Sequence, residues 1–212
     1  MKSIQQITCI LLLYMASCKQ AEPSLPYYNS ADFTPVFIND HDSVEHLITH
    51  TIAPFKFTDQ YNRNFGSQQC EGKIQVVNFF FTSCSSICPN LMNQLKKAVQ
   101  PFASDTNLVI LSFSVTPWID SVPVLKQYAN DQGLNQPNWH LLTGPESEIY
   151  TLARKSYFAE EEIGFNKDST DFLHTEHVVL VDKTGRIRGI YNGSLELEMK
   201  QLAEDVQHLK TH

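Results

Sequence analysis

Two cysteines with three residues between them, Cys84-Ser85-Ser86-Ile87-Cys88, followed at once by Pro89, carry the sharpest chemistry in this chain. A thiol that loses its proton is a soft nucleophile and a soft ligand, so a close pair is either a redox couple or a grip on an ion such as Cu(I). The usual redox spacing has two intervening residues, whereas three suits two ligands on one ion. On a helix, residues four apart share a face with a rise of about 6 Å. Both thiols are therefore expected to point the same way, with the free amides of a helix N-terminus favouring thiolates. The bland alternative is two core cysteines acting as small hydrophobes.

A third ligand would make the pair a metal site. The segment Phe172-Leu173-His174-Thr175-Glu176-His177-Val178-Val179-Leu180-Val181 places two histidines just before an apolar run. His174 lies in the loop, and His177 borders the run, where it can pack or hydrogen-bond at a strand edge. The residues alone leave both open, with a lean to His174. Other candidates have simpler readings. Cys70 reads as a small buried hydrophobe and Met92 as core. His46 and His50, four apart, have no third ligand nearby, and Glu160-Glu161-Glu162 reads as a solvated loop.

The elements that must position these groups follow from periodicity. Lys73 to Phe81, with Ile74, Val76, Val77, Phe79, Phe80 and Phe81, is so continuously apolar that it reads as a central strand buried on both faces. Leu91, Leu95, Ala98 and Val99 recur at helical spacing up to Pro101, and Leu108 to Val115 returns to strand, which completes one βαβ unit. A strand is expected over Ile52 to Thr58, and helices over Pro123 to Asn130 and Pro145 to Ser156. A hairpin is expected around Asp182-Lys183-Thr184-Gly185, then a closing helix from Leu195 to Leu209. This order predicts an α/β, thioredoxin-like fold: a mixed central sheet flanked by helices, with a C-terminal β-hairpin and helix.

Composition bounds the function. The chain has 212 residues, room for one globular domain with an appendage. Acidic residues outnumber basic ones 23 to 16, so there is no electrostatic footprint for nucleic acid. Five cysteines are too few for a disulfide scaffold. Lys2, the apolar run Ile10 to Met15 and the small residues Ala16-Ser17 before Cys18 form a short secretory leader. It is shorter than the roughly 20 residues of a spanning helix. Residues 1–17 are expected to be a lipoprotein signal peptide with Cys18 as the acylated residue, the alternatives being a plain signal or an uncleaved anchor. Residues 18–40, dotted with Pro and Ser, are expected to be a flexible tether, and 41–212 the folded domain. The expected location is the bacterial cell envelope, anchored to a membrane by lipid, with the domain outside the cytoplasm.

The segment Asn78-Phe79-Phe80-Phe81-Thr82-Ser83-Cys84-Ser85-Ser86-Ile87-Cys88-Pro89 resembles that of the Sco/SenC family of copper-binding thioredoxin-like proteins. The likeness runs from about Thr51 to the C-terminus. Ser114-Val115-Thr116-Pro117 with Asp120, then Trp139 and Leu142-Thr143-Gly144, also resemble family segments, although Trp118 stands where the family often has an acidic residue. The resemblance implies that Cys84 and Cys88 bind copper, as Cu(I) or Cu(II). Counting back from Gly185 in the family's His, Thr, apolar strand, Asp-x-x-Gly pattern puts the copper histidine on His174. The implied role is a metallochaperone or assembly factor for the dinuclear copper centre of cytochrome c oxidase. Its partners would be the subunit carrying that centre and other copper chaperones. The competing reading is an enzyme, a thiol-disulfide oxidoreductase in which Cys84 and Cys88 are catalytic and act on cysteines of envelope proteins. A metal site needs His174, and dithiol exchange does not.

Overall fold

The apolar run at the centre of the sequence is the strand around which the rest is arranged. The computed structural model describes residues 24–38, 40–159 and 175–211. In its first half the chain forms β1 (Tyr27–Tyr28), β2 (Pro35–Val36), α1 (His41–Leu47), β3 (Lys56–Asp59), β4 (Asn64–Gly66), α2 (Ser67–Cys70), β5 (Ile74–Phe80) and α3 (Cys88–Val99). β6 (Leu108–Ser114), α4 (Val122–Gln132), β7 (Trp139–Thr143), α5 (Glu146–Lys155), β8 (His177–Val181), β9 (Ile187–Asn192) and α6 (Glu196–Thr211) follow. The strands make one sheet in the order β2-β1-β9-β8-β5-β6-β7-β3-β4. β5, β6 and β7 run parallel, while β8 pairs antiparallel with β5 and the outer strands are antiparallel to their neighbours. This is the mixed, thioredoxin-like sheet expected, with the C-terminal hairpin β8–β9 and closing helix α6 in place.

Alternation along β5 divides the core into two layers. Ile74, Val76 and Phe80 face a layer built with Leu91 and Leu95 of α3, Leu125 of α4 and Leu202 of α6. Val77 and Phe79 face the opposite layer, with Phe113 of β6 and Ile149 and Leu152 of α5. Every residue of β5 and β6 is buried, as strands covered on both faces must be. Pro89 in the first turn of α3 and Lys96 and Lys97 in its last match the backbone and dipole preferences of helix ends. α4 ends at Gly133, whose φ of 65° makes the left-handed cap.

The structure differs from the expectation at several places. The tether expected over 18–40 is structured from Ser24 onward. β1 pairs with both β2 and β9, and Arg188 of β9 stacks 3.8 Å over the Tyr27 ring while donating to the carbonyls of Leu25 and Pro26. Pro and Ser content signals loops, but a two-residue ribbon held by one arginine leaves no periodic pattern. The strand expected from Ile52 starts later, at Lys56. β7 was not expected as an element. Its five residues are all buried, and a run that short carries no resolvable period. The leader and Cys18 lie outside the described residues.

One buried histidine makes stability depend on pH. His140 of β7 stacks on Phe65 at 3.9 Å, with Nδ1 3.4 Å from Asp59 Oδ2, and Asp59 is held by Arg63. Burial holds His140 below its ordinary value of 6.5 despite the pull of Asp59, and Arg63 and Lys73 add to the depression. The unfolded chain then binds the proton more tightly, so stability is lost as pH falls through the ordinary histidine range. Urea midpoints of the native protein are expected to drop between about pH 7.5 and pH 5. His140→Gln should flatten that slope, and an unchanged slope would show that the titrating group lies elsewhere.

Candidate functional site

The chain leaves the carboxyl end of β5 at Phe81, turns through Thr82 and Ser83, and reaches Cys84 before α3 begins at Cys88. The Cys84 amide donates to the Phe81 carbonyl at 3.3 Å, which closes a tight turn with Thr82 at its second position. Only Cys88 is helical. The two sulfurs therefore do not share a helix face as expected, because Pro89 sets the start of the helix at Cys88 and leaves Cys84 in the preceding loop. They meet by another route. Cys84 Sγ accepts from the Cys88 amide at 3.4 Å, and the Cys88 thiol hydrogen-bonds to Cys84.

The pair is electrostatically unequal. Burial raises the Cys84 thiol, but hydrogen bonds from the Cys88 thiol and from the amides of Cys88, Ser86 and Ile87 outweigh it and lower Cys84 to about 7. Burial and its hydrogen bond to Cys84 push Cys88 up to about 12. Near neutral pH Cys84, half-buried, is thus divided between thiolate and thiol, while Cys88, buried, stays a thiol. Both cysteines are free, and both pack against the α3–α4–α6 layer.

Two residues without a role in the sequence reading stand beside them. Tyr128 of α4 tilts against Phe80 with ring centroids 5.3 Å apart. Its hydroxyl is raised above the usual range by burial and then by Cys88, Cys84 and Asp120, so it sits in the field of the dithiol. Asp120, in the loop after β6, is fully buried. It accepts from the Thr82 amide at 3.2 Å and from the Thr82 hydroxyl, from Ser114 Oγ at 2.6 Å and from Thr116 Oγ1 at 3.0 Å. Beneath the site a buried polar chain crosses three strands into α3. Trp139 Nε1 donates to Ser112 Oγ at 2.9 Å, Ser112 to Asn78 Oδ1 at 2.6 Å, and Asn78 Nδ2 to the Met92 sulfur at 3.3 Å. The one available signal for Tyr128 was its helical spacing from Leu125.

The other sequence candidates fall elsewhere. His174 and Glu160-Glu161-Glu162 lie outside the described residues. The pairing of Asn78 with Val178 brings β8 to its start at the level where β5 ends, on the dithiol edge. His177 points the other way. Its Nδ1 lies 3.1 Å from the Ala159 carbonyl and its ring meets Phe33 edge-on at 5.1 Å, both in the layer opposite the cysteines. Cys70 is buried in that same opposite layer and pushed by burial up to about 12. α1 ends at Leu47, so His46 and His50 share no helix face. His50 Nε2 instead lies 2.8 Å from the Ser156 carbonyl. Among the described residues, no third histidine, cysteine or carboxylate joins the pair in a metal-binding cluster.

A dithiol where a central strand of a mixed sheet gives way to its helix, with one sulfur at the helix N-terminus and the other just before it, defines a thioredoxin-like protein that carries a thiol pair at the carboxyl edge of its sheet. The SCO1/SenC family model matches residues 45–211, and the chain belongs to that family. The SCO1 protein homolog of Bacillus subtilis (strain 168) is 30% identical over 168 residues, which covers 77% of this chain and 85% of the relative. BsSco, a member of the Sco family of cytochrome c oxidase assembly proteins in which a disulfide switch was identified, superposes with a TM-score of 0.63 at 29% identity, over 76% of this chain and 94% of its own. Yeast Sco1 with copper bound superposes with a TM-score of 0.59 at 25% identity, over 77% of this chain and 90% of its own.

The inequality of the two thiols is directly measurable. Brief treatment of the reduced native protein with iodoacetamide near neutral pH is expected to label Cys84 first, Cys88 slowly, and Cys70 only after unfolding. Fragment mass spectra locate the label, and early modification of Cys88 or Cys70 would contradict the assignment.

Proposed function

We propose that this protein is a copper-binding assembly factor that delivers copper to the dinuclear copper centre of cytochrome c oxidase. The observation that carries this reading is the meeting of Cys84 and Cys88 at the end of β5, on the same edge where the chain enters β8. Two thiolates and one imidazole suit copper as Cu(I) or Cu(II), and soft sulfur ligands disfavour hard ions such as Mg²⁺. We assign the ligands as Cys84, Cys88 and His174. The engagement of His177 with Ala159 and Phe33 supports His174 over its neighbour. The copper-bound yeast relative and the membership of BsSco in a family of cytochrome c oxidase assembly proteins support the cargo and the destination. The oxidase subunit that holds the dinuclear centre is the partner, with other copper chaperones as donors.

The reduced protein is expected to bind one copper ion per chain, measured by metal analysis after gel filtration. Cys84→Ala or Cys88→Ala should abolish tight binding. His174→Ala should weaken it by more than the roughly 10–100-fold typical of outer-shell partners, leaving the dithiol oxidisable, and His177→Ala should do much less. Copper retained equally by the double cysteine variant would refute this reading.

A second reading, thiol-disulfide exchange, is compatible with the inequality of the thiols. A thiolate at Cys84 can attack a disulfide sulfur of another envelope protein, whose second sulfur leaves and takes a proton. Cys88 then gives up its proton, displaces the partner and closes the Cys84–Cys88 disulfide. Full oxidase assembly by His174→Ala in copper-limited cells would favour this role.

We further propose that the mature chain begins at a lipidated Cys18 and sits in the bacterial envelope. No helix among the described residues is long and apolar enough to cross a membrane, and the leader's apolar run is shorter than a span. Cys18→Ser is expected to block incorporation of labelled fatty acid. Native protein recovered without lipid would rule out the anchor.

A further inference from the structure

Asp120 is a fully buried carboxylate, and no basic side chain among the described residues forms an ion pair with it. Burying a charge is costly unless hydrogen bonds replace water. Here they come from one amide and three hydroxyls. Ser114 and Thr116 belong to the end of β6 and the loop after it, so two of the four bonds hold the carboxylate itself in place. That loop is tight: Asp120 and Ile119 both donate their amides to the Thr116 carbonyl, at 2.9 Å and 2.8 Å, and Val115 donates to Phe80 of β5 at 2.9 Å. The remaining two bonds go to the amide and hydroxyl of Thr82, the second residue of the turn that Cys84 closes onto Phe81. Proximity in sequence does not explain the contact, since its partners are 38 positions apart.

We propose that Asp120 is a positioning residue for the dithiol: through the amide and hydroxyl of Thr82 it fixes the Phe81–Cys84 turn, and so the place from which Cys84 Sγ meets the amides at the start of α3 and the cargo metal. The proposal rests on the copper reading for its metal readout and stands without it for its thiol readout. With the turn loosened, Cys84 no longer stays against the amides of Ser86, Ile87 and Cys88. Both its grip on copper and its reactivity as a thiol change together.

Asp120→Asn keeps the shape but turns an N–H donor toward hydroxyls that had an acceptor. Thr82→Val removes the hydroxyl and keeps the amide, and Thr82→Ser keeps both. Full-length reduced protein would be titrated with Cu(I) against a competing chelator. In metal-free protein, the Cys84–Cys88 midpoint in dithiothreitol buffers and the rate of Cys84 alkylation would be measured. Asp120→Asn and Thr82→Val are each expected to weaken Cu(I) binding by about 10–100-fold and to shift the midpoint. Thr82→Ser should behave as the native protein, and the double variant should be no worse than Asp120→Asn alone. Asn138→Ala breaks buried hydrogen bonds at the opposite end of β6 and should lower stability without moving these readouts. If the native protein binds no copper, the copper reading fails, and the midpoint and alkylation rate alone decide the role of Asp120. If Asp120→Asn does not fold, the contrast of Thr82→Val with Thr82→Ser decides it. Native-like midpoint, alkylation and copper affinity in Thr82→Val, or equal changes in Asn138→Ala, would overturn the proposal.

Discussion

The parallel pairing of β5 with β6, in register from Ile74 opposite Leu108 to Phe80 opposite Ser114, is the constraint on which the site depends. Two parallel strands release their chains at the same edge, so the loop that carries Cys84 and the loop that carries Asp120 are neighbours by construction. In open α/β sheets that edge, outside the carboxyl ends of the strands, is where sites form. The antiparallel β8 then adds a third segment at the same level, because a strand running the other way begins where β5 ends. Three stretches of chain far apart in sequence converge there.

Burial divides the labour between the two sulfurs. Cys88 opens α3 and is covered by the layer beneath it, whereas Cys84 stands in a loop with amides directed at it. A pair made equal by a shared helix face would lack this division. The inequality suits a soft metal, which needs two sulfurs close together, and it equally suits exchange, which needs one exposed thiolate and one protected thiol. The dithiol geometry alone is therefore neutral between the two chemistries, and a third ligand, which a metal site needs and dithiol exchange does not, is what would separate them.

The central elements were legible in the sequence because doubly covered strands read as unbroken apolar runs, as Ile74 to Phe80 and Leu108 to Ser114 do. The helices α3, α4 and α5 were legible from their spacing and their prolines. Cys84 and Cys88 stood out because their residue type is rare and their spacing tight. Tertiary context supplied the rest. Where Pro89 starts α3, and so which cysteine is helical, is decided by one backbone preference at the margin of helix prediction. Asp120 and Tyr128 act through contacts with residues of other elements, and nothing about an aspartate in a loop announces that it is fully buried. The ribbon of β1 and β2 hangs on Arg188, a pairing that no local pattern encodes.

The two histidines illustrate how a single residue of register decides chemistry. Side chains alternate along a strand, so His177 must share its face with Val179 and Val181, both of which belong to the α5 layer. Val178 and Leu180 point into the layer that holds the cysteines. The parity of His177 was readable from the sequence; which layer holds Cys84 and Cys88 was not, because that follows from the path of α3 across the sheet. Once both are known, His177 cannot reach the sulfurs without passing through the sheet, and its bond to Ala159 gives the imidazole a settled place on the far side. A ligand that completes the pair must come from a part of the chain other than that face of β8.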